Sequence, residues 1–248
     1  LAALLMGADL LTFVIIWTIA QMCDSLYFLY RGFRALGVLE IPNPLSSSPS
    51  GLGAKFPGFM RFAWSTNVSG TLRTLTQEAD TLLVGALAGT SAAGFYHIAK
   101  RIAKVAQMAG EQMQAVLYPD MARMWARADI GAFRRTTARV QMVLAAVGIG
   151  MLLAALLLGE FMVRFVFGQD FAGTYPLLVA QLVAVILILH AAPSRSALLA
   201  MNRPTYVLGV AICSTALFFG VAFLTMPTYG ALGANFAHIA FAAFTALA

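Results

Sequence analysis

The residues that could do chemistry in this chain lie within two of its apolar segments. Residues 61–87 contain two arginines, a glutamate and an aspartate, and residues 93–118 contain two lysines, an arginine and a glutamate. An ionisable side chain at the depth of a lipid bilayer costs about 2.5–3.5 kcal/mol, so a group of them needs water, a partner or both. These charged positions are therefore the first candidates for a functional site.

Helical periodicity places most of these side chains on two stripes, because residues three, four or seven apart share one face of a helix. The stripe of the first segment comprises Arg73, Gln77 and Asp80. The stripe of the second comprises Lys100, Lys104 and Glu111, with Arg101 one residue away from it. A turn of about five residues joins the segments, so we predict antiparallel neighbours whose stripes line one cleft.

The charge balance of this cleft favours an anionic ligand. Its charged members are Arg73, Lys100, Arg101 and Lys104, with the acids Glu78, Asp80 and Glu111. One interpretation is a structural network, in which Arg73 pairs with Asp80 or Glu78. Lys104 would then pair with Glu111. A positive excess remains, and it suits a phosphate or diphosphate headgroup. We predict the four cations as headgroup contacts and the three acids as groups that couple ions or tune the cations.

Other polar residues in apolar segments carry less information. They are Gln77, His190, Arg195, Asn235 and His238. A single polar side chain in a helical bundle is more often an interhelical hydrogen bond than a ligand or a proton carrier. Gln77, His190 and Arg195 are kept as secondary site candidates.

The composition requires lipid as part of the solvent. Of 248 residues, 60% are hydrophobic and 10% are charged, whereas a soluble domain carries about 25% charged residues. The net charge of +6 does not indicate nucleic acid, because the Lys and Arg residues stand in short clusters between apolar runs. Cys23 and Cys213 lie in apolar runs, so neither a disulfide framework nor a cysteine metal site is predicted.

No catalytic motif is present in the sequence. It contains no HExxH, GxSxG, Walker or DxD pattern, and its loops are too short for a nucleotide-sugar site. We therefore predict that the chain is not an enzyme and uses no metal or cofactor, with coupling to a proton or sodium gradient left open.

The hydrophobic runs predict an all-α fold, a polytopic transmembrane helix bundle with about six full spans and a truncated seventh. The spans are expected at 10–29, 61–87, 93–118, 140–158, 175–200 and 206–224, with the seventh after 230. A linker rich in Pro, Ser and Gly occupies 41–57, and Pro119 is expected to stop or kink the third span. A basic connector that cannot span is expected at 120–139, and a loop at 160–174.

Lysine and arginine also predict the orientation, since they concentrate in cytoplasmic loops. Residues 31–61, the connector at 120–139 and Arg203 carry nearly all the loop cations, whereas the opposite side carries only Arg164. The first set is predicted to be cytoplasmic, in a multi-pass protein of a bacterial inner membrane. The start at Leu1 and the end within an apolar run suggest a segment of a longer protein.

From about Phe56 onward, the order of short motifs resembles the polysaccharide flippase branch of the multidrug/oligosaccharidyl-lipid/polysaccharide exporter superfamily. The matching pieces are Asp80-Thr-Leu-Leu-Val-Gly85, Ala93-Gly-Phe-Tyr96 with Ala99, Leu117-Tyr-Pro119, Phe167-Gly168 with Phe171, Asn202-Arg203-Pro204, and Gly230-Ala-Leu-Gly233-Ala234. Their order holds over roughly 190 residues.

This resemblance implies two helical bundles that face each other around a cavity open to alternate sides of the membrane. Residues 1–30 would be the last helix of the first bundle, 31–58 the cytoplasmic linker, and 59–248 the second bundle, truncated at its C-terminus. The implied activity is the flipping of undecaprenyl-diphosphate-linked oligosaccharide for lipopolysaccharide or exopolysaccharide biosynthesis. The implied partners are this lipid-linked oligosaccharide, membrane lipids and other polysaccharide assembly proteins.

Two alternatives remain open from the sequence. A multidrug or cation antiporter of the same superfamily would be expected to carry acidic cavity residues, and the cation excess counts against it. A membrane-embedded glycan polymerase or ligase would need a large periplasmic loop, which none of the predicted loops provides.

Overall fold

The structure is a computed structural model that describes residues 10–38 and 55–248, without the side chains at 10, 13, 38, 109 and 111. The chain divides into two compact units, Leu1–Pro57 and Gly58–Ala248. The first unit contributes one described helix, α1 (Leu10–Val38). Most of the predicted linker at 41–57 lies outside the described residues.

Six long helices form the second unit. They are α2 (Phe59–Ala88), α3 (Thr90–Ala126), α4 (Ile130–Phe167), α5 (Thr174–Ala200), α6 (Pro204–Tyr229) and α7 (Ala231–Leu247), with a short 3-10 helix at Gln169–Phe171. The described residues form no strand, and each predicted span has its helix. The predicted all-α membrane bundle is confirmed.

The structure extends helices into two of the predicted connections. The basic connector at 120–139 is helical on both sides of a short turn at 127–129, and Asp129 caps α4 by accepting a hydrogen bond from the Ala132 N–H at 2.9 Å. Pro119 lies inside α3 and does not stop it. A proline removes one backbone hydrogen bond, and the buried side chains of Leu117 and Met121 on either side of it hold the helix against its neighbours.

The predicted loop at 160–174 is also partly helical, since α4 continues to Phe167. Glu160 and Arg164 form an exposed ion pair at 2.6 Å with i, i+4 spacing, which supports a helix rather than a loop. Gly168, at φ 95°, then ends α4, because this backbone conformation is strained for residues with a Cβ.

The fifth helix is the centre of the second unit. It packs against α3, α4 and α7, while α2 packs mainly on α6. Among the described helices, α4, α5 and α6 are long and apolar enough to cross a membrane. More than half of the apolar stretch of α5 is buried in the bundle, against about a sixth of that of α4. The outer face of α4 therefore presents residues such as Leu157, 82% exposed, to the surrounding lipid.

Candidate functional site

A completely buried carboxylate, Asp80 of α2, lies where α2 meets α3 and α7. Its Oδ2 accepts hydrogen bonds from the Tyr96 hydroxyl at 2.8 Å and from His238 Nε2 at 2.7 Å. Its Oδ1 contacts Lys100 Nζ at 2.8 Å and the Thr81 hydroxyl at 2.9 Å, and it also accepts from the Thr81 N–H. All of these groups can donate, which suits an ionised carboxylate. We call Asp80, Tyr96, Lys100 and His238 the buried charge cluster.

The turn between α2 and α3 sets the register of this cluster. Gly89, at φ 94°, allows α3 to begin at once and to return along α2. Asp80 precedes this glycine by nine residues, and Tyr96 and Lys100 follow it by seven and eleven. Similar distances from a tight turn bring these side chains to about the same height, with Tyr96 and Lys100 one turn apart on either side of Asp80. Lys100 also donates to the backbone carbonyl of Gln77, one turn before Asp80.

The fourth member of the cluster comes from the last helix. His238 of α7 is 4% exposed, and its ring lies 4.9 Å from that of Phe218 on α6. This contact fixes the imidazole beside Asp80. The ion pair of Asp80 and Lys100 leaves the cluster neutral when the histidine is neutral.

A larger cavity, of about 580 Å³, lies beside α2 and is lined by three arginines. They are Arg73 of α2, Arg134 of α4 and Arg195 of α5. The charge of Arg73 acts on Arg195, so these guanidinium groups repel each other across the cavity. We call this space the arginine cavity.

The remaining lining of the arginine cavity mixes polar and apolar groups. Its hydroxyl and amide groups include Ser69, Gln141, Ser194 and Ser214. Gln141 donates a hydrogen bond to Ser194 at 2.9 Å. No Asp or Glu stands among the described residues that line it. Guanidinium groups bind the oxygens of phosphates and carboxylates in pairs, so a cavity lined by three of them suits an anion.

A second, much smaller cavity of about 20 Å³ adjoins the buried charge cluster. Its polar lining includes Lys100, Lys104, Gln107, Gln181 and His238. Phe241 of α7 lines both this space and the arginine cavity. Within the described part of the chain, no group of three His, Cys, Asp or Glu residues could hold a metal ion.

Comparison with known proteins places this site in a family. The family model described as "Polysaccharide biosynthesis protein" matches residues 46–176, more than half of the chain. The chain belongs to this polysaccharide biosynthesis family. The match runs through α2, α3 and α4 and so includes Asp80, Lys100 and two arginines of the cavity. The resemblance found in the sequence motifs is confirmed at this level.

The chain is also similar to a curated bacterial protein, the "Inner membrane protein YghQ" of Escherichia coli (strain K12). The two are 31% identical over 123 residues, which are 49% of this chain and 34% of that protein. The matched region thus spans about a third of the length of this relative. No solved structure matches the chain. These comparisons support the conclusion that the chain is a membrane protein of polysaccharide biosynthesis.

The structure distributes the four predicted headgroup cations over different surroundings. Arg73 lines the arginine cavity, whereas Lys100 is bound to Asp80. Lys104 is exposed at the edge of the small cavity, and Arg101 is exposed on α3. Gln77 of the first stripe and the two lysines of the second line the small cavity together, as expected of one cleft, but Arg73 lies apart from them in the arginine cavity. The lysine stripe faces α5 and α7, where the small cavity lies.

The other predicted site residues also occupy distinct positions. Glu78 and His190 are exposed, and Gln77 is half-buried beside the small cavity. Arg195 belongs to the arginine cavity, and the side chain of Glu111 lies outside the described residues.

Three residues of these sites were not selected from the sequence. Tyr96 could have been found from its register with Asp80 across Gly89. His238 and Arg134 gave no such sign, since each reaches its site through packing of helices that are distant along the chain.

Proposed function

We propose that the protein is a membrane transporter that flips a lipid-linked oligosaccharide, with undecaprenyl diphosphate as the carrier class. The observation that carries this proposal is the arginine cavity. A space of about 580 Å³ falls in the range of about 300–1,000 Å³ typical of ligand sites. Three guanidinium groups can bind phosphate oxygens in pairs, which lysine cannot do.

The position of the cavity supports an encounter with a headgroup from the cytoplasmic leaflet. Arg134 belongs to the basic region that is predicted to be cytoplasmic, and the lining residue Met201 precedes Arg203 by two positions. On this proposal the diphosphate enters the arginine cavity while the lipid tail stays in the bilayer. Alternating access with a second bundle then moves the glycan outward. The protein acts as a transporter in the inner membrane rather than as an enzyme.

The lining of the cavity also bears on the antiporter alternative. A drug or cation antiporter would be expected to place acidic groups in its binding cavity, and the described lining residues include none. The buried acid Asp80 has Lys100 and His238 as its partners. The charge of the site therefore favours an anionic substrate over a cationic one.

Glycan export in cells that lack the endogenous full-length protein tests this proposal. Arg195→Gln and Arg73→Gln should each lower export at least about tenfold at normal membrane abundance, because a charge-assisted hydrogen bond to phosphate contributes about 1.5–3 kcal/mol. Arg195→Lys should restore part of the loss. Arg164→Gln is the matched control. It removes an exposed arginine at the end of α4 opposite to Arg134, so it should leave export unchanged.

Two further variants compare the arginine cavity with the stripe predicted from the sequence. Arg101→Gln and Lys104→Gln change exposed cations of α3. Loss of export in these two variants, with normal export in Arg73→Gln and Arg195→Gln, would move the headgroup site to the surface of α3. Normal export in all four would refute headgroup binding by this bundle.

A further inference from the structure

We propose that Arg135 and Arg139, two exposed arginines near the start of α4, bind the phosphate of an anionic phospholipid in the surrounding bilayer. We call these two residues the arginine pair. Neither of them lines the arginine cavity, so this surface is a separate site. The inference therefore goes beyond the proposed function and does not depend on it.

The length of α4 places the arginine pair at the level of the lipid headgroups. The helix has 38 residues, which is about 57 Å at a rise of 1.5 Å per residue, whereas the hydrocarbon core of a bilayer is about 30 Å thick. Its uncharged stretch, 140–159, accounts for about 30 Å of this length. Arg139 therefore lies at the edge of the hydrocarbon, and Arg135 lies about 6 Å beyond it. A headgroup layer of about 5–7 Å on each side of the core covers both positions.

The arginine pair stands on the face of α4 that meets lipid. Residues 4, 7, 11, 14, 18 and 22 positions after Arg135 share its face of the helix. The first of them is Arg139, and the others are all exposed apolar residues, namely Met142, Ala146, Ile149, Leu153 and Leu157. Arg134 is rotated by about 100° from this face and lines the arginine cavity instead. A phospholipid can therefore place its phosphate at the arginine pair and its acyl chains along the apolar residues.

The guanidinium groups of the pair are available to a ligand. Within the part of the chain that the structure describes, neither arginine has an acidic partner. Arg135 Nε donates to the Gly131 carbonyl at 3.2 Å, which leaves its two terminal nitrogens for other acceptors. The acids of this region are engaged elsewhere, since Asp120 pairs with Arg123 and Asp129 caps α4. Like charges four residues apart on a helix repel each other, and a phosphate between them removes this repulsion.

The chemistry of the pair selects for an anionic lipid. A guanidinium group presents parallel N–H donors to the oxygens of a phosphate. A soluble anion would meet the arginines alone, whereas a phospholipid also covers the exposed apolar residues of the same face. Attraction to anionic lipid corresponds to about a fivefold gain in affinity for each arginine near the membrane surface. The pair should therefore favour an anionic over a zwitterionic phospholipid by about 25-fold.

Lipid titration of the delipidated full-length protein, followed by native mass spectrometry, measures this preference. Phosphatidylglycerol should bind about 25-fold more tightly than phosphatidylcholine. Arg135→Gln/Arg139→Gln should bind the two lipids with similar affinity. Arg135→Lys/Arg139→Lys should keep part of the preference, because lysine retains the charge but not the paired donors. The matched control is Arg123→Gln/Arg127→Gln, which removes two exposed arginines from the same end of the bundle and should leave the preference unchanged.

Photocrosslinking tests the position of the lipid without altering the arginines. In vesicles with equal amounts of both lipids, 4-benzoylphenylalanine in place of Met142 should capture phosphatidylglycerol in preference to phosphatidylcholine. Leu157 lies on the same face near the other end of the apolar stretch and is 82% exposed. The photoreactive residue in place of Leu157 should capture both lipids equally.

Each contrary result would overturn a definite part of the proposal. Equal affinity of the unaltered protein for the two lipids would refute anionic lipid binding. An equal loss in Arg123→Gln/Arg127→Gln would refute the assignment to the arginine pair, because overall charge would then explain the preference. Displacement of phosphatidylglycerol by an excess of inorganic phosphate would show a site for a free anion and refute the lipid. If the glutamine variant does not fold, capture at Met142 decides, and equal capture of both lipids there refutes the site.

Discussion

The buried ion pair between Asp80 and Lys100 allows a stability prediction that can be worked from the structure. Asp80→Asn keeps the shape of the side chain but removes its charge. The ammonium of Lys100, whose side chain is 14% exposed, then loses its counter-ion. The new amide NH2 also faces the donors that Asp80 accepted, from Tyr96, Thr81 and His238.

Breaking a buried ion pair by removing one partner costs about 3–5 kcal/mol. We therefore expect Asp80→Asn to lower the free energy of unfolding by this amount. For a domain of this size, about 2–4 °C per kcal/mol corresponds to a decrease in Tm of roughly 10 °C. Thermal unfolding of the full-length protein in detergent, followed by helical circular dichroism, measures the change. Asp120→Asn is the control, because the exposed pair of Asp120 with Arg123 should contribute at most about 1 kcal/mol.

A double variant decides whether the cost comes from the uncompensated charge. Asp80→Asn combined with Lys100→Met removes both charges, and this should recover about half of the loss, since a buried pair can be replaced by apolar groups at little cost. The coupling energy of the double-mutant cycle should be about 2 kcal/mol. Losses that simply add, or a change below about 1 kcal/mol for Asp80→Asn alone, would refute the reasoning.

Two further predictions concern packing and orientation. Gly233→Ala should destabilise the bundle by about 1–3 kcal/mol, because a Cβ there would lie 2.6 Å from the backbone of Met226. Thermal unfolding measures this change. Gly209→Ala is the control and should leave the stability unchanged, because a Cβ at that position meets no atom within 4 Å. A cysteine at Ala128, in the turn between α3 and α4, should resist a membrane-impermeant thiol reagent in intact cells. Efficient labelling there would reverse the predicted orientation.

The number and order of the helices could be predicted from the sequence because they depend on local properties. Runs of about 20 apolar residues set the spans, and glycines such as Gly89 and Gly230, both at positive φ, separate them. The helix ends were less predictable. Arginines after Pro119 indicated a connector, yet polar residues continue a helix readily once its apolar face is packed, as Met121 and Phe133 are.

The charged residues of α2 and α3 were also identified by the sequence alone, because charge at bilayer depth is costly wherever it stands. Periodicity placed Arg73 and Asp80 on one face of α2, but it could not say which helices this face meets. That choice depends on how α5, α6 and α7 pack, and the packing separates the two residues. Asp80 meets Lys100 and His238, whereas Arg73 meets Arg134 and Arg195.

The sequence by itself determined that this protein is a membrane helix bundle with an excess of cations at depth, since both properties follow from residue types and their spacing. Only the tertiary structure decided which of the polar side chains come together. His238 lies 158 positions after Asp80, and Arg195 lies 122 positions after Arg73. Contacts over such separations leave no local pattern in a sequence. They arise because long helices expose several faces, and burial of the apolar faces selects the polar side chains that meet.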